Sequence, residues 1–324
     1  MLKKANFYDD NADLQFHFER KIDFNLMFEL CPADAKEATS CHTAEDFRKT
    51  WMEIVRNIGE FAGTQLANNS MRVEREHVTL GADGEVTFGP ALSDNMKIIK
   101  ELGAMAMGIS PKYGGIGAPM VIELAAGEMV NRACPSTLLN AVWYGPIAHI
   151  IEQFGSEDVR RKYIPRIATG AISGCMALTE ADAGSDLGAL KTYGEKSANG
   201  EWRVHGSKRF ISNGCGDIAL VLAKTAKGDE GLKRLSLFLC ERKIAGEHNY
   251  RVTKLEEKIA LHGSATCELK FDGSRAILLG KEDEGFVYML RLMNDARLGV
   301  AFQGLGTFTG VFNQINDYAH QRQA

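Results

Sequence analysis

The feature that most limits how this chain can fold is a double change in the spacing of its apolar residues. Up to about residue 170 they recur every three or four positions, as on one face of a helix; after Gly170 they form short continuous or alternating runs; from Glu282 the helical spacing returns. Thr43, with Asp46 three residues later, can cap a helix on which Phe47, Trp51, Ile54, Val55, Ile58 and Ala62 share one face. Further helices are expected over 94–107, 120–132, 136–154 and 157–168, and 14–30 is weakly helical. Strands are expected at 172–178, 202–211, 218–223, 235–240, 266–271 and 276–279, with Asn199-Gly200 as a tight turn. In the last segment Phe286, Met289, Leu290, Met293 and Val300 form a stripe interrupted by Gly299, Gly304, Gly306 and Gly310. Each glycine costs a helix about 1 kcal/mol relative to alanine, so either close packing offsets them or the helix breaks near 304–306.

The expected class is therefore α+β. Residues 1–42 read as an N-terminal arm, 43–170 as an all-helical domain, 171–281 as a small strand domain, and 282–324 as the start of a C-terminal helical bundle. The abrupt stop at Ala324 leads to the expectation that the remaining helices of the bundle are lost by truncation or carried on a partner chain.

Composition excludes several classes of function. A net charge of −4, with both signs interspersed, leaves no basic footprint for nucleic acid and no polybasic membrane patch. No apolar segment follows the first lysines, as a secretory signal needs, and no run reaches the roughly 18 residues of a membrane span. The seven cysteines are scattered without a CxxC pair, which fits reduced thiols and a cytoplasmic setting. The eight histidines form no metal-binding pair, and His262 reads as a loop histidine. No GxGxxG follows a strand, and neither GxxxxGK[ST] nor GxSxG occurs.

One stretch does have the character of a ligand site. In 176–187, Met-Ala-Leu-Thr-Glu-Ala-Asp-Ala-Gly-Ser-Asp-Leu, a buried apolar run gives way to Thr179 and then to Ala183-Gly184-Ser185, where small residues let backbone N–H groups approach an anion. These residue types fit a ligand turn and a purely structural one equally well.

Four segments taken in order resolve the ambiguity: Leu-Thr-Glu-Ala-Asp-Ala-Gly-Ser-Asp at 178–186, Gly-Ser-Lys-Arg-Phe-Ile-Ser-Asn-Gly at 206–214, Leu-His-Gly-Ser-Ala-Thr-Cys at 261–267, and Met-Asn-Asp-Ala-Arg-Leu-Gly at 293–299. Together with the helix, strand, helix order, they resemble the acyl-CoA dehydrogenase family of flavoproteins. The last two segments are most similar to its large-subunit branch, which includes the 3-methylmercaptopropionyl-CoA dehydrogenases. The resemblance implies a barrel-like central domain, FAD as cofactor, α,β-dehydrogenation of an acyl-CoA thioester, an electron-transfer flavoprotein or similar acceptor, and a homo- or hetero-oligomer. It also implies roles for particular residues. Met176, Leu178, Thr179, Gly184, Ser185, Phe210, Ile211 and Ser212 would contact the flavin, with Ser185 also near the pantetheine arm and Phe210 replacing a commoner tryptophan. Asn294 and Arg297 would lie at the CoA end of the site, and Arg322 would reach the FAD of a neighbouring subunit. The usual base is a glutamate beyond residue 324; a minority of relatives carry it at the position of Ala296, and Asp295 is one position, about 100° of helix, away. The alternative function is a non-catalytic flavin- or acyl-CoA-binding subunit that scaffolds a hetero-oligomer.

Overall fold

A computed structural model describes residues 5–225 and 231–323 of the chain. The helical domain contains Ala44–Phe61, Ala67–Arg75, Pro90–Glu101, Met120–Ala133, Pro135–Ala141, Tyr144–Phe154 and Glu157–Ala168. The expected cap is in place: Thr43 Oγ1 accepts from Asp46 N at 3.1 Å, while the Asp46 carboxylate accepts from Thr43 N. Behind it Phe47, Trp51 and Val55 are fully buried.

Three boundaries differ from expectation for local reasons. The 94–107 helix starts earlier, at Pro90, and ends at Glu101 because Gly103 turns left-handed with φ of 67°. The 136–154 helix is two helices; the second restarts at Tyr144 with Pro146 in its first turn, where a missing N–H costs nothing. Residues 5–42, read as an N-terminal arm, carry short helices and pack on the helical domain. Tyr8, Phe18 and Phe24 are buried, Tyr8 and Phe18 meet edge to face at 6.0 Å, and Arg132 donates to the Asp10 carboxylate through Nη1 and Nη2 at 2.6 and 2.8 Å. Apolar side chains set among polar ones gave this segment the look of an arm.

The strand domain closes on itself. Tyr193–Lys196 pairs antiparallel with Trp202–Ser212, which pairs with Thr266–Leu279; that strand pairs with Leu235–Glu241, which pairs with Ile218–Lys224, which returns in parallel to Tyr193–Lys196. Gly174–Ala177 adds in parallel beside Ile218–Lys224, and Tyr250–Leu255 adds beside Thr266–Leu279. Closure removes the exposed edges that a small sheet otherwise has to protect. The two runs expected at 266–271 and 276–279 are one strand of 14 residues, because Gly273, with φ of 69°, makes a bulge where a break was expected.

The last helix is continuous from Gly285 to Gln321. Its glycines answer the open question in different ways. A Cβ on Gly306 would overlap the Glu128 carbonyl of Met120–Ala133, whereas Gly304 faces open space. Asn131 Nδ2 donates to Gln303 O at 2.6 Å and to Thr307 Oγ1 at 2.8 Å, fixing the crossing. Beyond it Phe308, Phe312, Ile315 and Tyr318 remain exposed. Among the described residues no helix is long and apolar enough to cross a membrane.

The two glycines separate packing from propensity. Gly306→Val is expected to destabilise the chain by about 1–3 kcal/mol through overpacking, and Gly304→Ala to stabilise it by up to about 1 kcal/mol. Urea unfolding of both variants checks this; equal effects would show that residue 306 is not a packing contact.

Candidate active site

The expected ligand turn is held from beneath by a buried ion pair. Lys208 lies in the inward phase of Trp202–Ser212 and is wholly buried; its Nζ donates to Leu178 O at 2.8 Å and to Glu180 Oε1 at 2.9 Å. Glu180 also accepts from Lys191 N at 2.7 Å and Thr192 N at 3.0 Å. Burial draws the Lys208 ammonium down to about 8, with Glu180 opposing. Burial pushes the Glu180 carboxyl up, but the Lys208 charge and the hydrogen bonds outweigh it and leave the group below its ordinary value. The pair holds 178–180 against the strand that carries Phe210.

Several expected residues thereby come together. Arg209 N donates to Thr179 O at 2.8 Å, and Asn213 Nδ2 to Gly174 O at 2.8 Å, so the end of Gly174–Ala177 and the end of Trp202–Ser212 form one edge. Leu178 and Ile211 are buried, while Met176, Thr179 and Ser212 are half-buried. Phe210 is 56% exposed with φ of 60°, its ring under the Arg209 guanidinium at 5.0 Å. Gly184 and Ser185 follow on the exposed turn, where the nearest neighbour to a Cβ on Gly184 would be Thr179 Cγ2 at 3.7 Å. An exposed aromatic in a left-handed conformation, beside an open small-residue turn, is an arrangement that fits a flat ring system with an anionic tail.

The remaining expected residues lie elsewhere. Asn294 and Arg297 are exposed on the long helix and bonded to each other, Arg297 Nη1 to Asn294 Oδ1 at 2.7 Å. Arg322 stands at the end of that helix, bonded to the Tyr318 hydroxyl at 2.8 Å, about 37 Å along the axis from Arg297. His262 is tied to Glu74 at 2.7 Å and to Lys258 O at 2.8 Å and stacks on His77, as a structural loop residue does. All seven cysteines are free, and among the described residues no group of three or more His, Cys, Asp or Glu is placed to hold a metal.

Asp295, one residue round from Asn294, faces a cavity of about 480 Å³ between the long helix and the helical domain. Ile54, Ile58, Met105 and Leu138 make it apolar, and Glu123 and His149 add polarity that the sequence reading had not singled out. Glu123 was signalled only by its place in the stripe of Ala126, Gly127 and Val130, all of which line the same cavity. Burial pushes its carboxyl up to about 7, with His149 opposing and Asp295 adding to the rise. Helix Tyr144–Phe154 is shared by cavity and turn: His149 lines the cavity, while Ile147 packs on Gly174 of the adjoining strand.

Comparison with known proteins places this architecture. The family model for the acyl-CoA dehydrogenase N-terminal domain matches residues 50–171, and that for the middle domain matches residues 175–274. The chain belongs to the acyl-CoA dehydrogenase family. It is 38% identical over 238 residues to an acyl-CoA dehydrogenase of Bacillus subtilis, covering 70% of this chain and 60% of the relative. It is 29% identical over 280 residues to the 3-methylmercaptopropionyl-CoA dehydrogenase of Ruegeria pomeroyi, covering 83% of this chain and 47% of the relative. The solved structure of butyryl-CoA dehydrogenase from Megasphaera elsdenii superposes with a TM-score of 0.74 at 25% identity, covering 85% of this chain and 70% of that one. The chain thus spans about half to three fifths of the length of these curated relatives.

Two outcomes follow for stability. Lys208→Met, which strands Glu180 in the interior, is expected to cost about 3–5 kcal/mol, and Lys208→Met combined with Glu180→Leu to cost less than the single change. Thermal unfolding of both decides it. For Glu123, a folded-state value above the unfolded one means that the native state binds more protons between roughly pH 4.5 and 7. Its destabilising contribution therefore grows as pH rises through that window and is complete above it. Glu123→Gln should flatten this part of the stability profile, gaining about 1–3 kcal/mol on wild type between pH 5 and pH 8; parallel profiles would contradict the assignment.

Proposed function

We propose that this chain binds FAD at the edge formed by Leu178–Thr179 and Phe210–Ser212 and serves α,β-dehydrogenation of an acyl-CoA thioester. The observation that carries the reading is the convergence of those two segments, far apart in sequence, through the Arg209 to Thr179 and Asn213 to Gly174 hydrogen bonds. Phe210 would cover one face of the flavin, Ser212 would hydrogen-bond near its N5, and the backbone at Gly184–Ser185 would meet the pyrophosphate. FAD bound there would supply the hydride acceptor for the β hydrogen.

The rest of the work falls to the protein. The cavity beside Asp295 would receive the acyl chain and exclude water from it, and Arg297, oriented by Asn294, would meet the anionic end of CoA. The exposed apolar face at Phe308, Phe312, Ile315 and Tyr318 supports packing against further helices, of this protein's own kind or a partner's, and Arg322 would contribute to a neighbouring subunit's FAD. An electron-transfer flavoprotein or similar carrier would reoxidise the flavin.

An absorption spectrum of the purified chain reconstituted with FAD tests the reading. The expected result is a flavin band that shifts or bleaches on addition of acyl-CoA, and an FAD affinity about tenfold lower in Phe210→Ala, the worth of one aromatic stack. Failure to retain FAD would overturn the proposal; retention without any response to acyl-CoA would favour a non-catalytic flavin-binding subunit.

A further inference from the structure

The cavity between the long helix and the helical domain is more polar at one place than a hydrocarbon pocket requires. The Glu123 carboxyl sits against two glycines, Gly108, where a Cβ would overlap it, and Gly145, where a Cβ would lie 3.7 Å from Oε2. His149, one helical turn after Gly145, is fixed by Nε2 to Gly108 O at 2.8 Å. Gly108 therefore locates both groups: its missing side chain makes room for the carboxyl, and its carbonyl orients the imidazole. Because a carbonyl only accepts, Nε2 carries the proton, and Nδ1 of a neutral ring is left as an acceptor.

Among the described residues nothing satisfies the acceptors so arranged. The Glu123 carboxyl and His149 Nδ1 have no hydrogen-bond partner there. No lysine, arginine, serine, threonine or tyrosine lines the cavity, and apart from His149 the lining side chain with N–H donors is Asn57. The ionised Glu123 carboxylate, Asp295 and His149 Nδ1 together make an acceptor-rich wall inside an otherwise apolar space. A purely hydrocarbon occupant would desolvate these groups and return no hydrogen bond to them.

Resting on the acyl-CoA reading above, we propose that the cavity takes an acyl group whose far end carries a hydrogen-bond donor, a hydroxyl or an ammonium, received by Glu123 and His149. The rest of the wall, from Ile54, Ile58, Met105 and Leu138, packs the methylenes in between. Glu123 and His149 act here as specificity determinants and take no part in the bond changes.

Calorimetric titration of the FAD-loaded chain with acetyl-CoA, heptanoyl-CoA, 6-hydroxyhexanoyl-CoA and 6-aminohexanoyl-CoA tests this, since heptanoyl matches the other two long chains in length but lacks a donor. At least one donor-bearing thioester should bind about tenfold or more tightly than heptanoyl-CoA, the discrimination expected when a site built to hydrogen-bond meets an analogue that cannot. Glu123→Leu should erase the preference, bringing the donor-bearing thioesters to within about threefold of heptanoyl-CoA. Glu123→Gln, which preserves shape, should keep affinity for the hydroxyl and lose it for the ammonium, and so identify the donor. Heptanoyl-CoA binding as tightly as both donor-bearing thioesters, or a preference that survives both Glu123 variants, would overturn the inference while leaving the acyl-CoA reading standing. Absence of binding by every thioester, acetyl-CoA included, would overturn both.

Discussion

The site depends on one interaction, the buried pair of Lys208 and Glu180. A lysine with no exposure is costly to place in a protein interior, and this one is tolerated because the Glu180 carboxylate and the Leu178 carbonyl accept hydrogen bonds from its ammonium. In return it fixes the turn at 178–180 to the strand that ends in Phe210. The edge at Thr179 and the ring at Phe210 then keep a set relation, and the open turn at Gly184–Ser185 projects from it. Loss of the pair would remove the side-chain hydrogen bonds that tie 178–180 to the barrel.

The barrel and the helical domain provide the two surfaces between which a site can form. Closure of the strand ring leaves the Gly174–Ala177 strand as an outer addition, packed through Gly174 onto Ile147. The same helix presents His149 to the cavity on its other side. A single helix thus links the strand beside the 178–180 turn to the cavity. The long C-terminal helix closes that cavity through Asp295, Gly299 and Phe302, three residues at helical spacing, and is held by the close approach at Gly306.

Much of this was legible in the sequence, because it rests on periodicity and turn chemistry. The change of spacing after Gly170, the Thr43 cap and the main strands are local signals, and they recur in the structure. What was illegible depends on contacts between distant segments. Lys208 had a signal, since strand alternation places it on the face of Trp202 and Val204, but lysine is so seldom buried that alternation alone does not mark it as a core residue. Gly273 looked like a strand end because a bulge and a break use the same residue. Glu123 lay within an apolar stripe whose significance appears only once the Gly108 backbone is seen against it. Tyr8 and Phe18 are buried although the segment around them is polar, and their spacing alone carries no sign of that burial.

The central claim is that 176–185 and 208–213 act together as one cofactor-binding edge. Hydrogen–deuterium exchange of the chain with and without FAD tests it most directly. The account predicts that amides in both segments slow together on addition of FAD, while those of the outer strand Tyr250–Leu255 do not change. Protection confined to one segment, or appearing away from both, would contradict it.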